Sequence, residues 1–180
     1  MRTSYNKNDI NYGDLIESVT FSLQPKSIVE IGILDGFSLE KFINNSNYNT
    51  SIFAYDLFDK FNGNHANKDF LIEKFKNNSN VSILEGDFFH LYKNIDNIDI
   101  IHIDIANNGD ILEFTLQYYL NKLSKNGIIL FEGGSIERDN VEWMNKYNKP
   151  KINPIIKKYQ DLNYNIKVFG NFPSITIIKK

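Results

Sequence analysis

A chain of 180 residues with 42% hydrophobic and 14% aromatic content is long enough for one domain with a full core and reads as globular. A net charge of −2 with both signs interspersed speaks against a nucleic-acid partner, and no window approaches the roughly 20 apolar residues of a membrane span. Zero cysteines exclude disulfides, thiolate metal sites and cysteine nucleophiles; with no apolar segment behind Arg2 to form a secretory signal, a cytoplasmic location is expected.

In chain order, Leu15, Ile16, Val19 and Leu23 recur at helical spacing and predict a helix over 12–23, stopped before Pro25. Residues 27–31 form an apolar strand, and the segment after Gly36 reads as a helix with Leu39, Phe42 and Ile43 on one face. A strand over 51–55, a helix over 68–76 striped by Phe70, Leu71 and Phe75, and a strand over 81–84 follow; His90 falls in a helix expected after Asp87. Asp99-Ile100-Ile101-His102-Ile103-Asp104 is nearly continuously apolar, the pattern of a central parallel strand covered on both faces. Within it His102 points to the face opposite Ile101 and Ile103 and reads as a satisfied buried histidine. A long helix over 111–123 precedes a fifth strand over 127–131. The last two strands, 164–169 and 174–178, are joined by Gly170-Asn171-Phe172-Pro173, too short for a parallel crossover, so they should pair as an antiparallel hairpin.

The segment Ser27-Ile28-Val29-Glu30-Ile31-Gly32-Ile33-Leu34-Asp35-Gly36-Phe37-Ser38 runs from a strand through a glycine turn into a helix start. Such a turn lets backbone approach a nucleotide-like ligand, and Asp56 closes the next strand. A dinucleotide fingerprint requires Gly-x-Gly-x-x-Gly, whereas this chain has Glu-x-Gly-x-x-x-Gly-x-Ser, with Glu30 where the first glycine would stand. That form resembles motif I of the class I S-adenosylmethionine-dependent methyltransferases. Five β-α repeats followed by an antiparallel hairpin resemble their arrangement over residues 27–180, and the wording from Asp99 to Glu132 resembles their small O-methyltransferase-like branch.

The resemblance implies an α/β fold: a three-layer Rossmann-like sandwich around a seven-stranded, mostly parallel sheet of order 3-2-1-4-5-7-6 with a C-terminal antiparallel hairpin. It implies a single domain over 1–180, with an N-terminal helical segment (1–25), a cofactor-binding half (26–132) and an acceptor loop with the hairpin (133–180). The implied activity is methyl transfer from S-adenosylmethionine to an oxygen or nitrogen of a small polar molecule such as a sugar, by a monomer or homodimer. An NAD(P)-type oxidoreductase and a non-catalytic S-adenosylmethionine-binding protein are the alternatives.

In an open parallel sheet the ligand crevice lies at the carboxyl ends of the strands. By resemblance Glu30, Gly32, Gly36 and Ser38 surround the methionine part of the cofactor, Asp56 accepts the ribose hydroxyls, Asp87 and Phe88 contact adenine, and Asp104, at the mouth of the fourth strand, also binds the cofactor. Methyl transfer from a sulfonium needs mainly alignment and removal of the acceptor's proton, which makes Asp104 the first catalytic candidate and His65, in the polar loop after the second strand, the second. The cation-dependent O-methyltransferases place acidic residues after the fourth and fifth strands, here Asp104 and Glu132. Gly133-Gly134-Ser135 departs from that pattern, so the reading is no metal, with a divalent cation on those two residues as the alternative. The segment from Glu132 to Trp143 holds paired glycines, one of only two arginines and the only tryptophan. It is the expected acceptor pocket, with Arg138 clamping a carboxylate or phosphate, Trp143 stacking on a ring and Ser135 beside them.

Overall fold

The computed structural model describes residues 11–180; the first ten residues of the expected N-terminal segment lie outside the described residues. Helix α1 (Tyr12–Leu23) starts on Asn11, whose side chain accepts from the Asp14 amide, and ends at Gln24 in a left-handed conformation just before Pro25. Strand β1 (Ser27–Ile31) leads into α2 (Phe37–Asn45), β2 (Ser51–Asp56) into α3 (Lys68–Phe75), and β3 (Val81–Glu85) into the single-turn α4 (Phe88–Leu91). Strand β4 (Ile98–Ile103), helix α5 (Gly109–Phe114) and strand β5 (Leu123–Glu132) complete the five repeats. Helices α6 (Glu142–Lys146) and α7 (Ile152–Asp161) then precede the hairpin β6 (Asn165–Phe169) and β7 (Ile175–Lys179).

The sheet order is β3-β2-β1-β4-β5-β7-β6, with β7 antiparallel to both β5 and β6, as expected. Strand alternation sorts the core into two layers. Ile28, Ile100, Ile128 and Leu130 face α1, α2 and α3, while Val29, Ile31, Ile101, Ile103, Ile129 and Phe131 face α5 and α7. The strand register pairs Glu30 with His102 and Ile103 with Phe131, so residues 104 and 132 emerge side by side at the carboxyl edge.

Two differences from the periodicity reading have physical causes. The helix expected over 111–123 is α-helical only to Phe114; a π-helical turn (Thr115–Tyr119) and a 3-10 turn (Leu120–Lys122) replace the rest. The Thr115 hydroxyl donates back to the Ile111 carbonyl at 2.8 Å, and Tyr119 is held by its hydroxyl on the Phe88 carbonyl at 2.6 Å and by stacking on the Phe88 ring. Strand β5 therefore begins early, at Leu123, which pairs with Ile98. The second difference is α7, which the periodicity reading leaves out. Its Ile152, Ile156 and Tyr159 are buried at helical spacing, and its first amides are capped from a distance by Asp139, which accepts from Ile152 and Asn153 at 2.7 and 2.8 Å.

Candidate active site

A cavity of about 890 Å³ opens at the carboxyl ends of β1 to β5. Its first wall is the β1–α2 turn. Gly32 adopts φ +91°, and a Cβ there would lie 2.0 Å from the carbonyl oxygen of Asp104, so only glycine lets the β1 and β4 ends approach this closely. Leu34 is also left-handed, at φ 51°, and exposed, a strained position for a residue that lines the cavity. Gly36 does not line it. Its Cβ would meet the Phe75 ring at 2.8 Å, so this glycine serves the packing of α3 rather than ligand approach.

Asp56 borders the cavity with its carboxylate already engaged: Oδ2 accepts from the Ile33 amide at 2.9 Å, and Oδ1 from the Phe58 amide at 3.1 Å and the Asn64 side chain at 2.5 Å. These bonds tie the β1 turn to the β2 loop and fill three of the carboxylate's about four acceptor sites, leaving one on Oδ2 for a ligand. Asp87 caps α4 through the Phe89 amide at 2.9 Å and pairs with His90 at 2.8 Å, while Phe88 packs against Tyr119 and Phe114. His65, exposed, sits on the rim of the same cavity.

Beneath the floor lies a buried polar group. Glu30 is fully buried and does not reach the cavity; its Oε1 accepts from the Ser38 hydroxyl and lies 3.0 Å from His102 Nδ1, while its Oε2 has no hydrogen-bond partner. His102 Nε2 is 2.6 Å from the Tyr12 hydroxyl, which is also 3.3 Å from Asp104 Oδ2. Asp104 faces the cavity, and its pKa is raised from 3.8 to about 7, chiefly by burial and then by the Glu132 charge; His102 and the Tyr12 hydrogen bond act in the opposite direction. Burial, together with the neighbouring Asp104, also pushes the Tyr12 hydroxyl well above its ordinary value.

The expected acceptor pocket needs correction. Arg138 is 5% exposed, and its guanidinium grips both Glu132 oxygens at 2.6 and 2.8 Å, approaches the Asn107 carbonyl and stacks on the Trp143 ring. Ser135 accepts from the Arg138 amide and donates to the Asn171 carbonyl. None of Arg138, Trp143 and Ser135 lines the cavity; they brace the β5–α6 loop against the hairpin. The same bidentate pairing occupies Glu132, so the residues present do not fit a cation held jointly by Asp104 and Glu132, and no metal ligand is placed at Asp104. Of the other expected site residues, Gly32, Ser38, Asp56, Asp87, Phe88, Asp104 and His65 meet at one cavity. Sequence reasoning misses Tyr12, Phe37, Phe61 and Asn64, which share that wall. Asn64 lies in the recognised polar loop; Tyr12 carries no local signal, since its partners are 90 and 92 residues away.

This fold and site define a methyltransferase-type α/β domain, and the comparisons agree. Residues 29–132 match the family model described as a methyltransferase domain, more than half of the chain, and the protein belongs to that family. No curated protein matches it by sequence. It is similar in structure to a methyltransferase from Geobacter sulfurreducens (17% identity, TM-score 0.65, 92% of this chain and 76% of that one). It is also similar to an SAH-bound methyltransferase from Podospora anserina (20%, 0.65, 93% and 76%) and to an O-methyltransferase from Bacillus cereus in complex with SAH (16%, 0.65, 97% and 84%). At such identities the likeness establishes a shared fold.

Proposed function

We propose that the protein is an S-adenosylmethionine-dependent methyltransferase acting on an oxygen or nitrogen of a small molecule. The observation that carries the reading is the charge of the cavity wall. Among the described residues that line it are Asp35, Asp56 and Asp87, together with Asp104, raised to about 7, and Glu132, paired with Arg138 from outside the lining, and no lysine or arginine. Such a wall suits a cationic ligand and opposes the pyrophosphate of a dinucleotide, which disfavours the oxidoreductase alternative. Family membership and neighbours crystallised with SAH support the same cofactor.

Bound here, the cofactor would supply an electrophilic methyl group on a sulfonium. The chain's own tasks are to hold adenosine with Asp56, Asp87 and Phe88, to bring backbone close through Gly32, and to receive the acceptor's proton at Asp104. A base works best when its pKa lies near the operating pH, and Asp104 at about 7 meets that condition. Exposed Leu34, Phe61 and Phe89 give the mouth an apolar character suited to a ring or short chain. Trp143, expected to stack on a ring of the acceptor, packs instead on Arg138 and does not line the cavity.

The test is a comparison of melting temperature with S-adenosylhomocysteine and with NAD. Ligand at a hundredfold over Kd stabilises by about 2.7 kcal/mol. Stabilisation by S-adenosylhomocysteine is the expected result; stabilisation by NAD alone would reverse the assignment.

A further inference from the structure

Behind Asp104 a line of polar atoms runs inward through an otherwise apolar layer. Tyr12 Oη stands 3.3 Å from Asp104 Oδ2 and 2.6 Å from His102 Nε2, and His102 Nδ1 stands 3.0 Å from Glu30 Oε1. Glu30 and His102 are fully buried, and Tyr12 is 7% exposed. A tyrosine hydroxyl has one proton and cannot donate to Asp104 and to His102 at once.

Two arrangements therefore hold the same number of protons. In the first, protonated Asp104 donates to the Tyr12 oxygen, Tyr12 donates to His102 Nε2, and neutral His102 donates from Nδ1 to Glu30. In the second, His102 is an imidazolium donating to Glu30 and to the Tyr12 oxygen, while Tyr12 donates to the Asp104 carboxylate. The difference is one proton moved from Asp104 to His102, Tyr12 receiving one and releasing one. Glu30 makes the second arrangement accessible. Its buried carboxylate has an oxygen without a partner, and a buried charge is tolerated only when another compensates it. In the second arrangement the His102 ring, 3.0 Å away, supplies that compensation.

We propose that Tyr12 and His102, backed by Glu30, form a proton relay that empties Asp104 after it has taken the acceptor's proton. The relay rests on the methyltransferase reading. The acceptor's O–H or N–H bond breaks and its proton goes to the Asp104 carboxylate. The acceptor lone pair forms the bond to the methyl carbon as the carbon–sulfur bond breaks and its pair returns to sulfur. Asp104 then hands its proton to the Tyr12 oxygen as the Tyr12 proton passes to Nε2. The positive charge lost at sulfur reappears on the imidazolium, so the charge of the site is conserved, and the proton leaves by the reverse path once product has gone. Tyr12 and His102 act through Asp104 and are positioning residues. The groups around the relay are Glu30 from β1, Asp104 just past β4, Glu132 at the end of β5 with its partner Arg138, Tyr12 from α1, and from α2 the uncharged Ser38, which donates to Glu30, and Phe42, whose ring meets His102.

Ring-15N histidine and 13C aspartate NMR test the relay in the intact protein, because His65 and His90 are exposed and separable from His102. In the wild type the Asp104 carboxyl signal and the His102 ring-nitrogen shifts should change together as pH passes about 7. Tyr12→Phe should leave the Asp104 change without its His102 counterpart, and Asp104→Asn should remove that change from the His102 shifts. Calorimetric titration of the wild type with S-adenosylhomocysteine reads the cofactor site separately. His102 shifts that are identical in the wild type and both variants, with S-adenosylhomocysteine still bound, would overturn the relay alone. Failure of the wild type to bind S-adenosylhomocysteine would overturn the methyltransferase reading, and the relay with it, however the shifts behave.

Discussion

Replacing Arg138 with methionine separates an architectural arginine from a substrate clamp. The Arg138 and Glu132 side chains are 6% and 12% exposed, and two hydrogen bonds of 2.6 and 2.8 Å join them. Removing the guanidinium leaves the Glu132 carboxylate sequestered without its partner, and breaking such a buried pair costs about 3–5 kcal/mol. The scale agrees with two hydrogen bonds to a charged group at about 1.5–3 kcal/mol each, partly offset by water reaching the carboxylate. Methionine keeps much of the volume against Trp143 and Met144, so little of the loss should come from a cavity. At about 2–4 °C per kcal/mol for a chain of this size, the melting temperature should fall by about 6–20 °C. The double variant Glu132→Gln with Arg138→Met removes both charges and should recover most of the loss. Urea unfolding of the wild type, both single variants and the double variant closes the cycle. If Arg138→Met stays within about 1 kcal/mol of wild type, the range of an exposed pair, while acceptor KM rises, the guanidinium serves a ligand and the architectural argument fails.

Gly32→Ala should destabilise by about 2 kcal/mol or more, because the left-handed backbone alone costs about 1–2 kcal/mol and the new Cβ would stand 2.0 Å from a backbone oxygen. Calorimetric titration with S-adenosylhomocysteine should show weakened binding in the same variant; unchanged stability and affinity would mean that the β1 and β4 ends do not meet as described. Asp104 makes stability depend on pH in a stated direction. Its folded pKa lies above the ordinary 3.8, at about 7, so the folded state keeps a proton that the unfolded state has released. Its favourable contribution is complete below the ordinary value, shrinks as pH rises towards about 7, and changes no further beyond it. Asp104→Asn, which cannot ionise, should flatten that part of a denaturation-versus-pH curve; a difference from wild type that is constant across the window would count against the burial of Asp104.

Much of the fold is legible in the sequence because local rules agree along the chain. The bounds of α1 follow from its leucine and isoleucine spacing and from Pro25, and the hairpin follows from a link too short to cross over. Helix α7 is legible too, since Ile152, Ile156 and Tyr159 carry the helical period, with Pro154 in the first turn where a missing amide costs little. What a sequence cannot disclose is how side chains divide between ligand and protein. Arg138, a few residues past two glycines, reads as a clamp until Glu132, six residues away, proves to hold its Nε and Nη2 while Met144 takes Nη1.

The placement of the site charges follows from strand alternation continued past the strands. Positions 28, 100 and 128 put isoleucine on the face towards α1 and α2, and on the same parity 30, 102, 104 and 132 put glutamate, histidine, aspartate and glutamate there. The face is apolar at the amino ends of the strands, where it needs only to pack, and polar at the carboxyl ends, where the helices part around the cavity. Each carboxylate on that face is then given a partner of its own: His102 for Glu30, Tyr12 for Asp104, Arg138 for Glu132. Of the three partners only the tyrosine has no cationic form. Burial first and the Glu132 charge second raise the pKa of Asp104 to about 7, which suits it to the proposed proton exchange with whatever enters the cavity.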